Sequence, residues 1–276
     1  MTKNSVLTFQ KKKSEGKKIT MLTAYDYTMA KLINDSGVDA ILVGDSLGNV
    51  ILGYEDTISV TMDDMVCHCR AVARAADKAM VVVDMPFMSY QVSVEEVLHN
   101  ASRMMKEGRA NAVKLEGGTR VCPQIRALVD AGIPVMAHLG LTPQSINAFG
   151  GYRVMGKTQD QASRLLSEAF AVQEAGAFSL VLECVPMKLA ELISKKLEIP
   201  VIGIGCGAGC DGQVLVAQDM LGMTPGFSPK FLKVFAPVGE TIKKAVGDYI
   251  HEVENGTFPA EEHGFPIGDE ILDSLY

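Results

Sequence analysis

Long hydrophobic runs are missing from this chain of 276 residues, although 47% of its residues are hydrophobic. No run approaches the ~20 apolar residues that a membrane-spanning helix needs, so we predict that no segment crosses a membrane. The mean hydropathy of +0.16 is high for a soluble protein, but strands buried on both faces of a parallel sheet account for it. The first residues also lack the hydrophobic segment of an export signal, which predicts a cytoplasmic location.

An excess of positive charge is also missing, since 26 Lys and Arg residues face 33 Asp and Glu residues and the formal net charge is −7. This balance argues against nucleic acid as a partner. One basic cluster lies near the start of the chain and comprises Lys11, Lys12, Lys13, Lys17 and Lys18. It is interpreted as the solvated end of a helix, and a partner-binding patch is the alternative.

The cysteines lack the paired spacing of a zinc site. The six are scattered along the chain: Cys67, Cys69, Cys122, Cys184, Cys206 and Cys210. Neither the CHC run at 67–69 nor the three-residue spacing at 206–210 resembles a metal-binding pair. We therefore predict reduced thiols that are mostly buried.

Strand-like and helix-like segments alternate along the chain with a regular period. Short runs rich in Val, Ile and Leu predict eight strands, at 19–25, 40–45, 79–84, 111–116, 133–138, 178–183, 200–205 and 231–235. Segments of helical period lie between them, for example at 61–78, 93–107, 158–175 and 186–197. The pattern predicts an α/β fold, a single (β/α)₈ TIM barrel over residues 1–276 with an extra N-terminal helix at about 5–16. An open doubly wound sheet is the competing architecture.

Two stretches depart from the regular repeat. Residues 139–157 form a long glycine-containing loop after the fifth predicted strand, and loops of this length in compact domains tend to be lids or binding loops. The C-terminal tail at about 256–276 carries apolar residues without helical spacing. Such a tail docks either on its own barrel or on a neighbouring subunit.

Three carboxylates stand at the ends of three successive apolar runs. Asp45, Asp84 and Glu116 close the runs AILVGD, MVVVD and NAVKLE. Burying a carboxylate costs free energy unless it is paired or bound to a metal. Because neighbouring strands lie ~4.8 Å apart, acids at the ends of three adjacent strands could converge on one cation. Oxygen ligands suit Mg²⁺ or Mn²⁺ rather than Zn²⁺, so the pattern predicts a metal-dependent enzyme.

Three more residues are candidates for the same site. Lys114 lies two positions before Glu116, so both side chains point to one side of the strand, and Lys114 could hold a substrate carboxylate. A buried structural ion pair is the alternative for these two residues. Glu183 ends the sixth predicted strand, across the barrel, where a carboxylate is well placed as a general base or serves as a structural partner. His138 ends the fifth predicted strand, and its residue chemistry alone favours a structural role.

A glycine pattern at residues 207–212 formally matches the dinucleotide fingerprint GxGxxG. The acidic residue expected ~20 positions later is absent, and only one further strand is predicted after it. A tight, close-packed barrel turn is therefore favoured over a nucleotide site. A nicotinamide-dependent oxidoreductase is accordingly disfavoured.

Six motifs carry a family resemblance. They are ITMLTAYD at 19–26, VGDSLG at 43–48, DMPF at 84–87, VKLE at 113–116, AHLGLTP at 137–143 and GIGCG at 203–207. With these motifs in order over about residues 17–267, the chain closely resembles the ketopantoate hydroxymethyltransferases. The resemblance implies a (β/α)₈ barrel of the phosphoenolpyruvate/pyruvate type. It also implies transfer of a hydroxymethyl group from 5,10-methylenetetrahydrofolate to 3-methyl-2-oxobutanoate, which gives 2-dehydropantoate in pantothenate and coenzyme A biosynthesis.

The resemblance also implies roles for individual residues. Asp45 and Asp84 correspond to ligands of one Mg²⁺ per subunit, and Glu116 to a third ligand that binds directly or through water. The keto acid is expected to contact five residues: Asp45, Ser46, Asp84, Lys114 and His138, the last in an open role. Glu183 corresponds to the proton acceptor in a Mg²⁺-assisted enolisation. The resemblance further implies a homo-oligomer, namely a decamer.

Two other functions stay open. Another Mg²⁺-dependent enzyme that acts on C–C bonds of α-keto acids would share the barrel, although the KKCGH loop of such lyases is absent from the sequence. A non-catalytic barrel that serves as a binding or structural module would show no affinity for Mg²⁺ and keto acid.

Overall fold

Eight parallel strands follow one another around a closed barrel in the computed structural model, which describes residues 3–151, 153–226 and 228–275. They are β1 (Ile19–Thr23), β2 (Ala40–Val43), β3 (Met80–Asp84), β4 (Ala112–Glu116), β5 (Val135–Gly140), β6 (Ser179–Glu183), β7 (Val201–Ile204) and β8 (Gly212–Leu215). The first strand pairs with both β2 and β8. The predicted (β/α)₈ barrel is therefore confirmed, and an open doubly wound sheet is excluded.

Helices connect most of the strands, and one helix precedes β1. The α-helices are α1 (Val6–Ser14), α2 (Tyr27–Asp35), α3 (Leu47–Val50), α4 (Met62–Ala75), α5 (Val94–Lys106), α6 (Cys122–Asp130), α7 (Ile146–Phe149), α8 (Gln159–Glu174), α9 (Met187–Lys196), α10 (Ala217–Met220), α11 (Val238–Glu254) and α12 (Asp269–Asp273). Short 3₁₀ turns lie at Thr119–Val121, Pro143–Ser145 and Glu261–His263. The helix α1 is the extra N-terminal helix that the sequence predicts.

Local sequence explains where several helices begin. At the start of α4, the Thr61 hydroxyl accepts from the N–H of Asp64, and the Asp64 carboxylate accepts from the N–H of Thr61. The side chains of Asp26, Ser93 and Thr158 accept backbone hydrogen bonds at the starts of α2, α5 and α8. Each cap satisfies a backbone donor that the helix itself leaves unpaired.

The barrel interior consists of the side chains that point inward on every second residue of each strand. Its apolar layer includes Ile19, Met21, Ala40, Leu42, Met80, Val82, Ala112, Met136, Val181, Ile202 and Val214. On four strands the next inward position carries an ionisable side chain: Asp84, Lys114, His138 and Glu183. The strand period of two therefore places a polar layer directly above the core, at the carboxyl-terminal mouth of the barrel.

The helix α1 closes the opposite, amino-terminal end. Phe9 is fully buried and meets Phe178 edge to face, with ring centroids 5.6 Å apart. Lys12 Nζ lies 2.6 Å from the Asp39 carboxylate, and Lys13 forms a similar ion pair. The interpretation of the lysine cluster as a solvated helix end is thus wrong for these lysines, because the barrel supplies carboxylates that hold them.

Lys13 and Lys18 are held by groups of the barrel, whereas Lys11 and Lys17 face solvent. Lys13 Nζ lies 2.8 Å from Oδ2 of Asp211, and Lys18 donates to the carbonyl oxygens of Ala208 and Cys210. Lys11 and Lys17 are solvated, with side chains that are 74% and 67% exposed.

The predicted eighth strand at 231–235 is wrong. The barrel closes instead with β8, which begins at Gly212 and pairs with β7 and β1. A side chain at Gly212 would collide with the backbone oxygen of Ile19, so the closing strand needs glycine at this point. The sequence pattern of such a short strand, which begins with glycine, is typical of a turn. The apolar run at 231–235 has the sequence pattern of a strand. The glycine pattern at 207–212 joins β7 to β8 without a helix, in agreement with the predicted barrel turn.

The chain divides into two compact units. The larger, Met1–Ala217 with Ser228–Lys233, contains the barrel, and the smaller, Gln218–Phe227 with Val234–Tyr276, contains α11 and α12. The expectation of one domain over 1–276 with a tail at about 256–276 stays a prediction. Within the described ranges, no helix combines the length and apolar character needed to cross a membrane.

Candidate active site

The strand register brings five of the predicted residues together at the mouth of the barrel. Asp84 on β3 lies opposite Lys114 on β4, and Glu116 on β4 lies opposite His138 on β5. Glu183 ends β6, next to β5. Because parallel strands all point the same way, their carboxyl ends meet at one edge, and these side chains become neighbours.

Asp45 and Ser46 lie beside these residues, in the turn after β2. The backbone N–H of Asp45 donates to Oδ2 of Asp84 at 3.0 Å. The Ser46 and Tyr25 hydroxyls share a hydrogen bond of 2.8 Å. A Cβ at Gly44 would lie 2.8 Å from Ser46 Oγ and 3.5 Å from Asp84 Oδ2. Glycine before the two residues therefore lets this turn approach the end of β3.

Lys114 and Asp84 form an ion pair inside the barrel. Lys114 Nζ lies 2.6 Å from Asp84 Oδ1, and the side chains are 5% and 4% exposed. Burial lowers the pKa of Lys114, but the charges of Asp84, Glu116 and Asp45 outweigh burial and raise the pKa above its ordinary value. The ammonium therefore stays charged at neutral pH. A buried ion pair is thus present at Lys114, with Asp84 rather than Glu116 as its closest partner.

The acidic cluster (Asp45, Asp84 and Glu116) places three carboxylates around this lysine. Burial, followed by repulsion from Asp84 and Glu116, raises the pKa of Asp45 well above its ordinary value, although Lys114 opposes this shift. Excess negative charge of this kind is what a divalent cation relieves.

The cluster is not a preformed cage for a metal. Among the residues that the structure describes, no group of three or more His, Cys, Asp or Glu side chains is arranged to hold a metal ion. Mg²⁺ is commonly held through only one or two carboxylates and keeps several waters, which suits a site in which one acid acts through water. The donor set is thus compatible with Mg²⁺, and the ligand assignment stays a prediction.

Gln144, which the sequence analysis did not single out, joins the acidic residues to one another. Its side-chain Nε2 donates to Asp45 Oδ2 at 2.8 Å and to the Met85 carbonyl at 2.9 Å. Its backbone N–H donates to Glu116 Oε2 at 3.0 Å. Its Oε1 accepts from the Tyr90 hydroxyl at 2.7 Å. One buried amide therefore contacts the loops or ends of three successive strands.

Two sequence signals could have pointed to this residue. Gln144 directly follows the AHLGLTP motif at 137–143, and it lies in the long loop predicted to be a lid or binding loop. Its partner Tyr90 carries no such signal. Burial, together with the Glu116 charge, raises the pKa of Tyr90 well above its ordinary value, so the hydroxyl remains a donor.

His138 lies between two carboxylates. Its Nδ1 is 3.4 Å from Glu116 Oε1, and its Nε2 is 3.4 Å from Glu183 Oε2. Burial and the Lys114 charge lower the pKa of His138, but the contacts with Glu116 and Glu183 prevail and raise the pKa to about 9. The two carboxylates favour the protonated imidazole, which lies between Glu116 of the acidic cluster and Glu183.

Glu183 is held where strand β6 turns into a loop. Its side chain is 17% exposed, whereas those of Asp84 and Glu116 are 4% exposed. The next residue, Cys184, has a φ of +50°, in the left-handed region that is unusual for a residue with a side chain. Backbone strain of this kind concentrates at functional sites, where surrounding contacts hold it in place.

The long loop after β5 is fastened at both ends to this strand end. The Leu141 N–H donates to the Glu183 carbonyl at 2.8 Å, and the Met155 N–H donates to the Cys184 carbonyl at 2.9 Å. We call residues 141–155 the β5 loop. The loop therefore spans from the acidic cluster, through Gln144, to the backbone that carries Glu183.

Comparison with known proteins agrees with the resemblance carried by the motifs. The model of the family described as ketopantoate hydroxymethyltransferase matches residues 3–261. A 3-methyl-2-oxobutanoate hydroxymethyltransferase of Clostridium novyi (strain NT) is 62% identical over 274 residues, which cover 99% of this chain and 100% of the relative. A protein of the same name from Enterococcus faecalis (strain ATCC 700802 / V583) is 60% identical with the same coverage.

Solved structures share the barrel at low sequence identity. Phosphonopyruvate hydrolase, in a complex with oxalate and Mg²⁺, has a TM-score of 0.62 at 14% identity, covering 99% of this chain and 94% of that chain. The 2,3-dimethylmalate lyase, a PEP mutase/isocitrate lyase superfamily member, has a TM-score of 0.60 at 15% identity, covering 95% and 92%. These neighbours share the barrel fold of this chain. With a family match over nearly its whole length, the chain belongs to the ketopantoate hydroxymethyltransferase family.

Proposed function

We propose that this protein transfers a hydroxymethyl group from 5,10-methylenetetrahydrofolate to 3-methyl-2-oxobutanoate, giving 2-dehydropantoate for pantothenate and coenzyme A biosynthesis. The observation that carries the proposal is the convergence of the acidic cluster, Lys114 and Glu183 at one barrel mouth. Relatives that are 62% and 60% identical bear the name of this activity.

One Mg²⁺ per subunit would be held by Asp45 and Asp84, with Glu116 as a third ligand, directly or through water. The support is the oxygen donor set and the unbalanced negative charge, which raises the pKa of Asp45. Bound Mg²⁺ would supply Lewis-acid polarisation of the substrate keto group.

The residues around the proposed Mg²⁺ position would bind the substrate. The Lys114 ammonium, kept protonated by its acidic neighbours, retains donors beyond its contact with Asp84 and offers them to the keto-acid carboxylate. The Ser46 hydroxyl, oriented by Tyr25, and the buried carboxylates of Asp45 and Asp84 complete the contact surface. His138 would present Nε2, which makes no well-aligned hydrogen bond within the described residues.

Glu183 would act as the proton acceptor. Its carboxylate takes the proton from C3 of the keto acid, and the C–H electron pair becomes the new carbon–carbon double bond of the enolate. The C3 carbon then bonds to the methylene carbon of the folate as one of the two C–N bonds of that carbon breaks. Water replaces the remaining nitrogen and becomes the hydroxyl group, and tetrahydrofolate leaves with both nitrogens protonated, by the C3 proton and by a proton of the water. The His138 imidazole lies beside this carboxylate, with Nε2 3.4 Å from Glu183 Oε2.

The decisive experiment is proton NMR of 3-methyl-2-oxobutanoate in D₂O with the protein and Mg²⁺, without folate. We expect the C3 proton signal to disappear and EDTA to stop the exchange. Glu183→Gln should still bind the keto acid but lose the exchange, whereas the exposed control Glu174→Gln on α8 should exchange like the parent. Exchange by Glu183→Gln at the parent rate would place the base elsewhere.

Three further measurements separate the transferase from the alternative functions. Cleavage of an oxaloacetate-like acid without folate would favour a Mg²⁺-dependent lyase of the same barrel type. Absence of any Mg²⁺ or keto-acid binding in calorimetry would favour a non-catalytic barrel. The folate-dependent appearance of 2-dehydropantoate supports the transferase.

We further propose a cytoplasmic homodecamer whose partners are the keto acid and the folate, with no affinity for nucleic acid or membranes. The support is the family resemblance together with the net charge of −7. Sedimentation equilibrium should give the mass of ten 29.7 kDa chains. A mass of one or two chains at micromolar concentration would contradict the decamer.

A further inference from the structure

We propose that Gln144 is a positioning residue whose side chain orients the Asp45 carboxylate for the divalent cation, an inference that rests on the proposed function. Gln144 is 4% exposed and contacts both carboxylates, one through its side chain and the other through its backbone. It lies outside the strands that carry the acids, so it acts on them only through these hydrogen bonds.

The surroundings determine which way the amide group faces. Nε2 points to two acceptors, the Asp45 carboxylate and the Met85 carbonyl, which an amide oxygen would repel. Oε1 faces the Tyr90 hydroxyl at 2.7 Å, and the same hydroxyl lies 3.1 Å from the Glu116 carbonyl. A hydroxyl has one proton, and the shorter contact identifies Gln144 as its acceptor. The hydrogen-bonded amide thus has one orientation.

That orientation explains why glutamine occupies this position. Glutamate would add a negative charge opposite Asp45, and an apolar side chain would leave Asp45 Oδ2, Met85 O and the Tyr90 hydroxyl without this partner. Only a neutral side chain with both a donor and an acceptor, and of this length, satisfies all three groups. Partners that orient metal-binding groups in this way commonly change metal affinity about 10- to 100-fold when they are removed.

The β5 loop keeps Gln144 in place. Its first residue, Leu141, is bonded to the Glu183 carbonyl, and Met155 near its end is bonded to the Cys184 carbonyl. Between them, Pro143 begins the 3₁₀ turn that contains Gln144. The loop thus reaches Asp45 and Glu116 from a backbone anchored beside Glu183.

The test is calorimetric titration of Mn²⁺ into the full chain, freed of metal by EDTA, with 3-methyl-2-oxobutanoate present. We expect Gln144→Met to bind Mn²⁺ about 10- to 100-fold more weakly than the parent. Tyr90→Phe removes the hydroxyl that orients the amide and should cause a smaller loss. When Gln144→Met is already present, Tyr90→Phe should cost less affinity than it does in the parent. Part of its effect passes through Gln144, and the rest through the Glu116 backbone N–H, from which the Tyr90 hydroxyl accepts at 3.2 Å. The control Gln161→Met, at an exposed position of α8, should bind like the parent.

The outcomes are distinct. A lower Mn²⁺ affinity for Gln144→Met, with an unchanged KM for the folate, supports the inference. Equal affinities for parent and Gln144→Met overturn it and leave the proposed function standing. No Mn²⁺ binding by the parent overturns the proposed function and the inference together. Should Gln144→Met fail to fold, Tyr90→Phe decides, because an unchanged affinity in that variant also overturns the inference.

Discussion

At the scale of single residues, the site is governed by charges that the barrel interior cannot solvate. Lys114 and Asp84 are each about 95% buried and lie 2.6 Å apart. Removing one member of such a pair leaves the other charge buried and uncompensated, which is costlier than removing both. The stability of the metal-free protein and the chemistry of the site therefore depend on the same residues.

This dependence predicts the behaviour of Asp84→Asn. We expect the variant to lose Mg²⁺ binding and turnover together, and the metal-free variant to lose about 3 kcal/mol of unfolding free energy because Lys114 loses its nearest counter-charge, which lies at 2.6 Å. Urea denaturation and Mg²⁺ calorimetry measure the two effects.

A double variant provides the control. Asp84→Asn with Lys114→Met removes both charges and should recover part of the stability, though none of the activity. Retained Mg²⁺ dependence at parent affinity in the single variant would contradict the assignment of Asp84 as a ligand.

The His138 contacts predict a pH dependence. The pKa of His138 is about 9 in the folded metal-free protein and ~6.5 when unfolded. A raised pKa means that the stabilisation is fully present below pH ~6.5 and is lost as the pH rises through about 9. The contribution is on the order of 3 kcal/mol by the linkage relation.

The measurement compares unfolding free energies of the metal-free protein between pH 6 and 9.5. The difference between the parent and His138→Gln should shrink as the pH rises, whereas exposed His99→Gln should differ little from the parent throughout. A difference that does not change with pH would show that His138 stays neutral.

At the scale of elements, the β5 loop and its anchors organise the mouth of the barrel. Gly140, at the end of β5, has a φ of +92°. A Cβ at this position would overlap with the carbonyl oxygen of Glu183. The close approach of β5 to β6 therefore requires glycine for space as well as for conformation.

Gly140→Ala should accordingly disturb Glu183 and the β5 loop together. We expect a stability loss larger than the ~1–2 kcal/mol of a left-handed alanine alone, with a loss of C3 proton exchange. The matched control is Gly132→Ala, which has a φ of +80° and no neighbouring atom within 4 Å of a Cβ. Equal effects of both substitutions on stability and exchange would refute the role of close packing at Gly140.

At the scale of the whole molecule, one end of the barrel contributes to stability and the other carries the candidate site. The amino-terminal end is closed by α1, with Phe9 in the core and Lys12 paired to Asp39. The carboxyl-terminal end holds the acidic cluster, Lys114, His138 and Glu183. This division is common to the barrel architecture, in which loops after the strands carry the chemistry and the other end contributes stability.

Burial within the larger unit also governs thiol reactivity. All six cysteines lie within the described ranges and none of them forms a disulfide; four are buried and Cys67 is exposed, which confirms the prediction of mostly buried thiols. Burial raises the pKa values of Cys69, Cys184 and Cys206 to about 12. Since the thiolate is the reactive form, these side chains should resist alkylation.

Iodoacetamide at pH 8 should therefore label Cys67 first and leave the other thiols largely unmodified in the native protein. Intact-mass and peptide analysis after brief exposure should show one rapid adduct, and unfolding in urea should expose all six. Rapid native labelling of Cys69 or Cys206 would contradict the burial of these thiols.

The sequence alone determined the architecture and most of the candidate site. Asp45, Asp84, Glu116 and Glu183 could be predicted because each ends an apolar run, and parallel strands bring such ends together. Lys114 could be predicted because the strand period places it on the side of Glu116. These inferences depend on periodicity, which is a local property.

Only the tertiary structure decided which groups touch. Three contacts join residues that lie 27 to 99 positions apart in the sequence. They are the ion pair of Lys114 with Asp84, the hydrogen bond of Gln144 to Asp45 and the ion pair of Lys12 with Asp39. The closing strand β8 was likewise missed, because its glycine is required by contact with Ile19 rather than by any local pattern. Such contacts follow from barrel closure and register, which bring distant residues together and which no local pattern encodes.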